Sequence, residues 1–175
     1  MKKFLKYAPI CAALLALVAF VLLLATPGIV NSDSKTIFSG VEVLFGGKRE
    51  IYVLGFKIYE GSFKGTWSGL LAFIFVILAF LELAAEAILP LLKGKKTCKY
   101  VKYSNLCAAL LLVVGGVFAF VSNSTFIAVN EFENLAKSYE FTLGAGWIIA
   151  GILMILAGLV AVLPTLLGLL SKKKK

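Results

Sequence analysis

Residues 67–92 read WSGLLAFIFVILAFLELAAEAILPLL, and only Glu82 and Glu86 interrupt the apolar run with charge. As a helix this stretch measures ~39 Å, more than the ~20 residues and ~30 Å that a hydrocarbon core requires. It is read as a transmembrane span. The same criterion finds three more, at about 7–25, 101–121 and 144–170. Composition agrees: 61% of the 175 residues are hydrophobic, 15% are charged, and the mean hydropathy is +0.98. A water-soluble domain carries far more charge. The expected fold is membrane all-α: one four-helix transmembrane bundle over residues 1–175, with a small antiparallel β-rich extracellular cap.

Charge placement orients the threading. Lys2, Lys3 and Lys6 precede the first span, Lys93, Lys95, Lys96, Lys99 and Lys102 surround the middle connection, and Lys172 to Lys175 end the chain. No acid lies among these twelve lysines. The other two connections, 27–66 and 122–142, hold six basic residues against seven acids: Asp33, Glu42, Glu50, Glu60, Glu131, Glu133 and Glu140. By the positive-inside rule both termini and the cytoplasmic loop at 93–100 face inward in a cell membrane. The net charge of +9 then serves threading and contact with anionic headgroups, and nucleic acid is not an expected partner.

The N-terminus has the basic start of a secretion signal. Its apolar run of about 18 residues exceeds the usual signal core, and Leu24-Ala25-Thr26-Pro27 is no small-x-small cleavage site. An uncleaved first span is expected. Cys11, Cys98 and Cys107 fall at or near the cytoplasmic side, where thiols stay reduced.

The first external connection, about 40 residues long, far exceeds a turn and calls for structure of its own. Residues 36–45 and 50–60 are rich in Val, Ile, Phe and Tyr, and Gly46-Gly47-Lys48-Arg49 lies between them. Alternation at Val41, Val43 and Phe45 predicts an antiparallel hairpin turning at 46–49. The second connection offers a short helix at 126–136 and a third strand at 138–143. For the helices, Gly151 and Gly158 form one seam, Gly115 and Ala119 another, and Ala12 and Ala16 a third, since small residues let backbones approach in lipid. Pro164 is placed to bend the last span.

Four spans, inward termini and a long strand-forming first loop resemble the layout of the claudin and peripheral-myelin-protein class. Ile58-Tyr59-Glu60-Gly61 is similar to the tyrosine-glutamate-glycine stretch of that loop. The tryptophan, glycine-leucine-tryptophan and paired-cysteine signature of the family is missing here. The resemblance implies the layout alone.

Enzyme chemistry finds little to work with. The chain has no histidine, which removes His-based acid–base catalysis, the common nucleophile–histidine pairs and His-ligated metal. Three scattered cysteines form no metal-binding pair, and no phosphate-binding glycine loop is present. No cofactor, no metal and no enzymatic activity are expected. Glu82 and Glu86 remain. Four residues apart, they project about 40° from one another and share a helix face with Ser68, Ala72 and Ala79. A carboxylate at a bilayer centre costs about 3 kcal/mol on insertion scales, so such residues mark paired or functional sites. Asn105, Ser104 and Lys102 are the expected partners. Two functions follow: a non-enzymatic membrane protein that binds a protein partner or a second copy through its cap and helix seams, or a small proton- or cation-linked transport component using Glu82 and Glu86.

Overall fold

The chain folds in order as α1 (Lys2–Ala25), β1 (Pro27–Val30), β2 (Thr36–Ser39), α2 (Gly40–Phe45), β3 (Gly46–Val53), β4 (Phe56–Lys64) and α3 (Trp67–Lys93), followed by α4 (Cys98–Val129), α5 (Glu133–Ser138), β5 (Thr142–Leu143) and α6 (Ala145–Lys172). These elements come from a computed structural model that describes residues 2–31, 35–53, 56–93 and 98–172.

Four helices are long and apolar enough to cross a membrane, over Ala8–Ala25, Trp67–Ile88, Tyr103–Val129 and Ala145–Leu167. α1 and α4 each pack against both α3 and α6, so every long helix has two long neighbours. Their buried faces are made of small residues: Ala12, Ala16 and Ala19, Ala72 and Ala79, Ala108 and Ala119, and Ala150, Ala157 and Ala161 are all fully buried. Leucine and valine point outward instead, as at Leu14, Val18, Leu78, Leu110 and Leu159. Water would penalise that arrangement, whereas lipid does not distinguish leucine from its own tails. Helix contact in lipid rests on close approach, and glycine supplies it between α4 and α6. A Cβ on Gly116 would lie 2.8 Å from the Gly151 carbonyl, and one on Gly158 would lie 2.9 Å from the Ala109 carbonyl.

α4 outruns the expected span by eight residues, from 121 to Val129. The polar run Ser122-Asn123-Ser124-Thr125 reads as a loop, yet it stays helical because its hydroxyls are satisfied within the helix. Ser122 Oγ donates to the Phe118 carbonyl at 2.8 Å and Thr125 Oγ1 to the Val121 carbonyl at 3.2 Å. α6 continues through Pro164 to Lys172.

Both long connections are folded, with a correction to the expected hairpin. Residues 40–45 are helix, not strand. Ser39 caps α2: its Oγ accepts from the Glu42 amide at 3.3 Å, and Glu42 Oε2 accepts from the Ser39 amide at 2.7 Å. Gly46, at φ 75°, closes the helix and opens β3. The hairpin is β3–β4, running from Gly46↔Lys64 to Val53↔Phe56, so residues 46–49 lie within a strand and the connection passes through 54–55. A separate three-stranded sheet has the order β2–β1–β5. The expected third strand shrinks to Thr142–Leu143 and pairs with β1, through Ile29↔Leu143 and Val30↔Thr142, not with the hairpin. The expected helix at 126–136 divides between the end of α4 and α5.

Phe38 from β2 gathers this region. Its ring lies 5.0 Å from Phe63, 4.8 Å from Phe126, 6.0 Å from Phe132 and 6.3 Å from Phe141. Two helix-ending turns of one type deliver the last two rings. Glu131 at φ 56° lets the Phe132 amide reach the Ile127 carbonyl at 3.0 Å, and Glu140 at φ 49° lets the Phe141 amide reach Ala136 at 3.0 Å. Asn130 then ties the hairpin base to α4: its Oδ1 accepts from the Lys64 amide at 2.7 Å, and its Nδ2 donates to the Lys64 carbonyl at 2.9 Å.

Candidate functional site

α3 and α4 run antiparallel, and two polar patches face each other across their contact. Helix periodicity places Ser68, Ala72, Ala79 and Glu86 on one side of α3, and all four are buried, Glu86 to 6% exposure. The first patch lies at the sheet-bearing end. There the Thr66 and Ser68 hydroxyls are 3.0 Å apart, Ser68 Oγ donates to Ser122 Oγ at 3.3 Å, and Thr125 Oγ1 pairs with both Thr66 and Ser68. Each hydroxyl has a partner, so this patch works as interhelical glue. Sequence reasoning missed it. The signal was present as two short hydroxyl runs, Thr66-x-Ser68 and Ser122 to Thr125, flanking apolar stretches of matching length.

The second patch, near the α3–α4 connection, is different. Ser104 and the backbone of Asn105 are the polar neighbours of the Glu86 carboxylate, with Glu82 one turn away. Ser104 and Asn105 both approach the Glu86 carboxyl as hydrogen-bond donors in loose geometry, and both Glu86 oxygens, Glu82 Oε2 and Asn105 Oδ1 are buried without a well-formed bond to a described residue. Asn105 is 4% exposed, while Glu82 is half-buried. Four oxygens are thus shielded from solvent and rely on weak contacts, which is costly for an ionised carboxylate above all. The side chain of Lys102, the third expected partner, lies outside the described residues.

The remaining candidates sit elsewhere. Gly151 and Gly158 both face α4, against the Phe120 ring and against Ala109 and Val113. Gly115 lies at the meeting of α4 with α3 and α6, close to Met154 and Phe75, and Ala119 is fully buried. A crevice of about 240 Å³ between α1 and α3 is lined by Leu17, Phe20, Ile77, Phe80 and Leu81, all apolar. Cys11 and Cys107 are free and exposed; the Cys98 side chain lies outside the described residues. Among the described residues no group of three or more His, Cys, Asp or Glu side chains could hold a metal ion.

The chain matches no family model, no curated protein and no solved structure.

Proposed function

We propose that this chain is a non-enzymatic, multi-pass membrane protein that acts through a folded extracellular cap, with both termini in the cytoplasm. The observation that carries this reading is the knitting of the two connections into one body. β1 pairs with β5 across 112 residues of sequence, Asn130 clasps Lys64, and four phenylalanines from both connections meet around Phe38. Threading four spans needs only short turns, so an ordered cap of this extent supports a role in contact with other molecules. The β3–β4 hairpin is the part of the cap to which we assign that role, because it forms a two-stranded sheet of its own beside the three-stranded one. Fully buried Leu23, Val76, Leu112 and Met154 fill the helix interior, which favours a packed scaffold over a transport path within one chain.

Excising the hairpin tests this reading. Gly47 and Phe63 are directly paired, so an Asn-Gly turn replacing residues 48–62 closes the strands without stretching them. The shortened chain is expected to insert and fold, while protein neighbours captured by cross-linking in native membranes, or contacts between copies, are lost. Unchanged cross-links would remove the hairpin as the interaction surface.

A further inference from the structure

The short helix α2 belongs to the first connection, yet it packs against two of the spans. We infer that α2 is embedded in the bilayer, in the leaflet at the sheet-bearing end, with the side chains of Val41 and Phe45 among lipid acyl chains. Three observations carry this. The first is depth. Gly40 lies so close to the Leu23 carbonyl that a Cβ there would collide with it, and a Cβ on Gly69 would lie 3.4 Å from a Leu44 methyl. At the other end of α2 the Phe45 ring stands edge-on to Phe73, 5.7 Å away, and Phe73 lies ~9 Å down α3 from Trp67. Leu23, Gly69 and Phe73 all fall inside the apolar spans Ala8–Ala25 and Trp67–Ile88, so α2 is wedged between α1 and α3 at the level of the hydrocarbon. The second is surface chemistry. Val43 and Leu44 are buried, and the side left uncovered is apolar as well, with Val41 48% and Phe45 55% exposed. The single charge of α2, Glu42, is turned back on the helix N-terminus, where Oε2 accepts from the Ser39 amide at 2.7 Å and the Ser39 hydroxyl at 2.8 Å. The other short helix of the cap, α5, exposes Glu133, Asn134, Lys137 and Ser138. One helix is dressed for water and the other for lipid. The third is continuity. Phe73 stacks at 5.3 Å on Phe20 of α1, and Phe20 lines the apolar crevice between α1 and α3 whose Leu17 and Leu81 are exposed. The uncovered face of α2 therefore runs into the lipid-facing surface of the spans, where a water-borne partner would have to displace lipid to reach it. Since β3 begins at Gly46, directly after Phe45, the hairpin rises from the bilayer surface itself.

The test uses the whole chain in phosphatidylcholine vesicles, with Cys11, Cys98 and Cys107 changed to serine. A nitroxide is attached to one introduced cysteine at a time: Val41→Cys, Leu78→Cys on the outward side of α3, or Lys137→Cys on α5. Its collisions are measured with oxygen, which concentrates among acyl chains, and with a nickel chelate confined to water. Oxygen is expected to dominate at Val41→Cys and Leu78→Cys, and the nickel chelate at Lys137→Cys. Nickel dominating at Val41→Cys overturns the inference, because the face is then open to water. Protection of that position from both reagents overturns it equally, because protein, a second copy or another chain, then covers the face. The inference rests on the four helices spanning a bilayer, which Leu78→Cys reports separately, and neither result depends on which side of the membrane carries the cap. Should Val41→Cys fail to fold, the wild-type chain decides the matter in vesicles of a phospholipid bearing a photoactivatable group on its acyl chain. Adducts within residues 40–45 are expected beside those on α1 and α3; adducts on the spans with none on α2 would remove it from the bilayer.

Discussion

Glu131 and Glu140 adopt the left-handed backbone that an L side chain takes at a cost of about 1–2 kcal/mol, and each does so one step before a phenylalanine that the cap buries. The turn they make is normally given to glycine or asparagine. Both side chains are exposed, so removing either loses no buried contact. Glu131→Gly and Glu140→Gly should therefore each raise stability by about 0.5–1 kcal/mol, the relief of strain outweighing the extra freedom of glycine in the unfolded chain. Reversible unfolding in mixed micelles measures this, and a loss of stability would contradict the assigned turns. Neither turn was legible from sequence, since glutamate there carries none of the signature that glycine would. Glu82 and Glu86, by contrast, announce themselves, as does the suggestion of Ser104 and Asn105 nearby. What composition could not reveal is how deeply Glu86 and Asn105 are buried.

The glycine seam is the element whose disruption should do most harm. Gly158→Ala places a methyl carbon 2.9 Å from both the Ala109 carbonyl and a Val113 methyl, so α4 and α6 must separate. A loss of about 1–3 kcal/mol is expected, as for other overpacked contacts. Gly47→Ala serves as the comparison. Its added carbon meets only the Phe63 ring, at 3.4 Å, on an exposed strand, and its effect should stay within about 0.5 kcal/mol. Equal effects at the two sites would refute the seam. Small residues at helical spacing made these contacts readable in advance, because the reason for them is steric and local. α2 was not so readable. Val41, Val43 and Phe45 alternate as a strand would, and over so few residues alternation competes with Ser39-Gly40-Val41-Glu42, a serine–glutamate capping pair. The pair prevails because it satisfies two backbone amides at once, and the hairpin moves downstream as a result. The pairing of β1 with β5 joins segments too distant for any local pattern to disclose.

At the scale of the whole molecule, everything depends on how the chain is threaded. Four apolar helices carry small residues inward and leucine outward, and the two connections at the sheet-bearing end fold together. The lysine runs are legible in sequence because they bear on charge and translocation and not on packing, and the proposed threading puts the opposite end in the cytoplasm on their account. Membrane-impermeant maleimide applied to intact cells tests that assignment most directly, in a chain with Cys11 and Cys107 changed to serine. Cysteine introduced as Lys137→Cys on exposed α5 should be labelled from outside, while native Cys98 should react only after the membrane is opened. Labelling of Cys98 on intact cells, with position 137 protected, would contradict the threading and with it the extracellular cap.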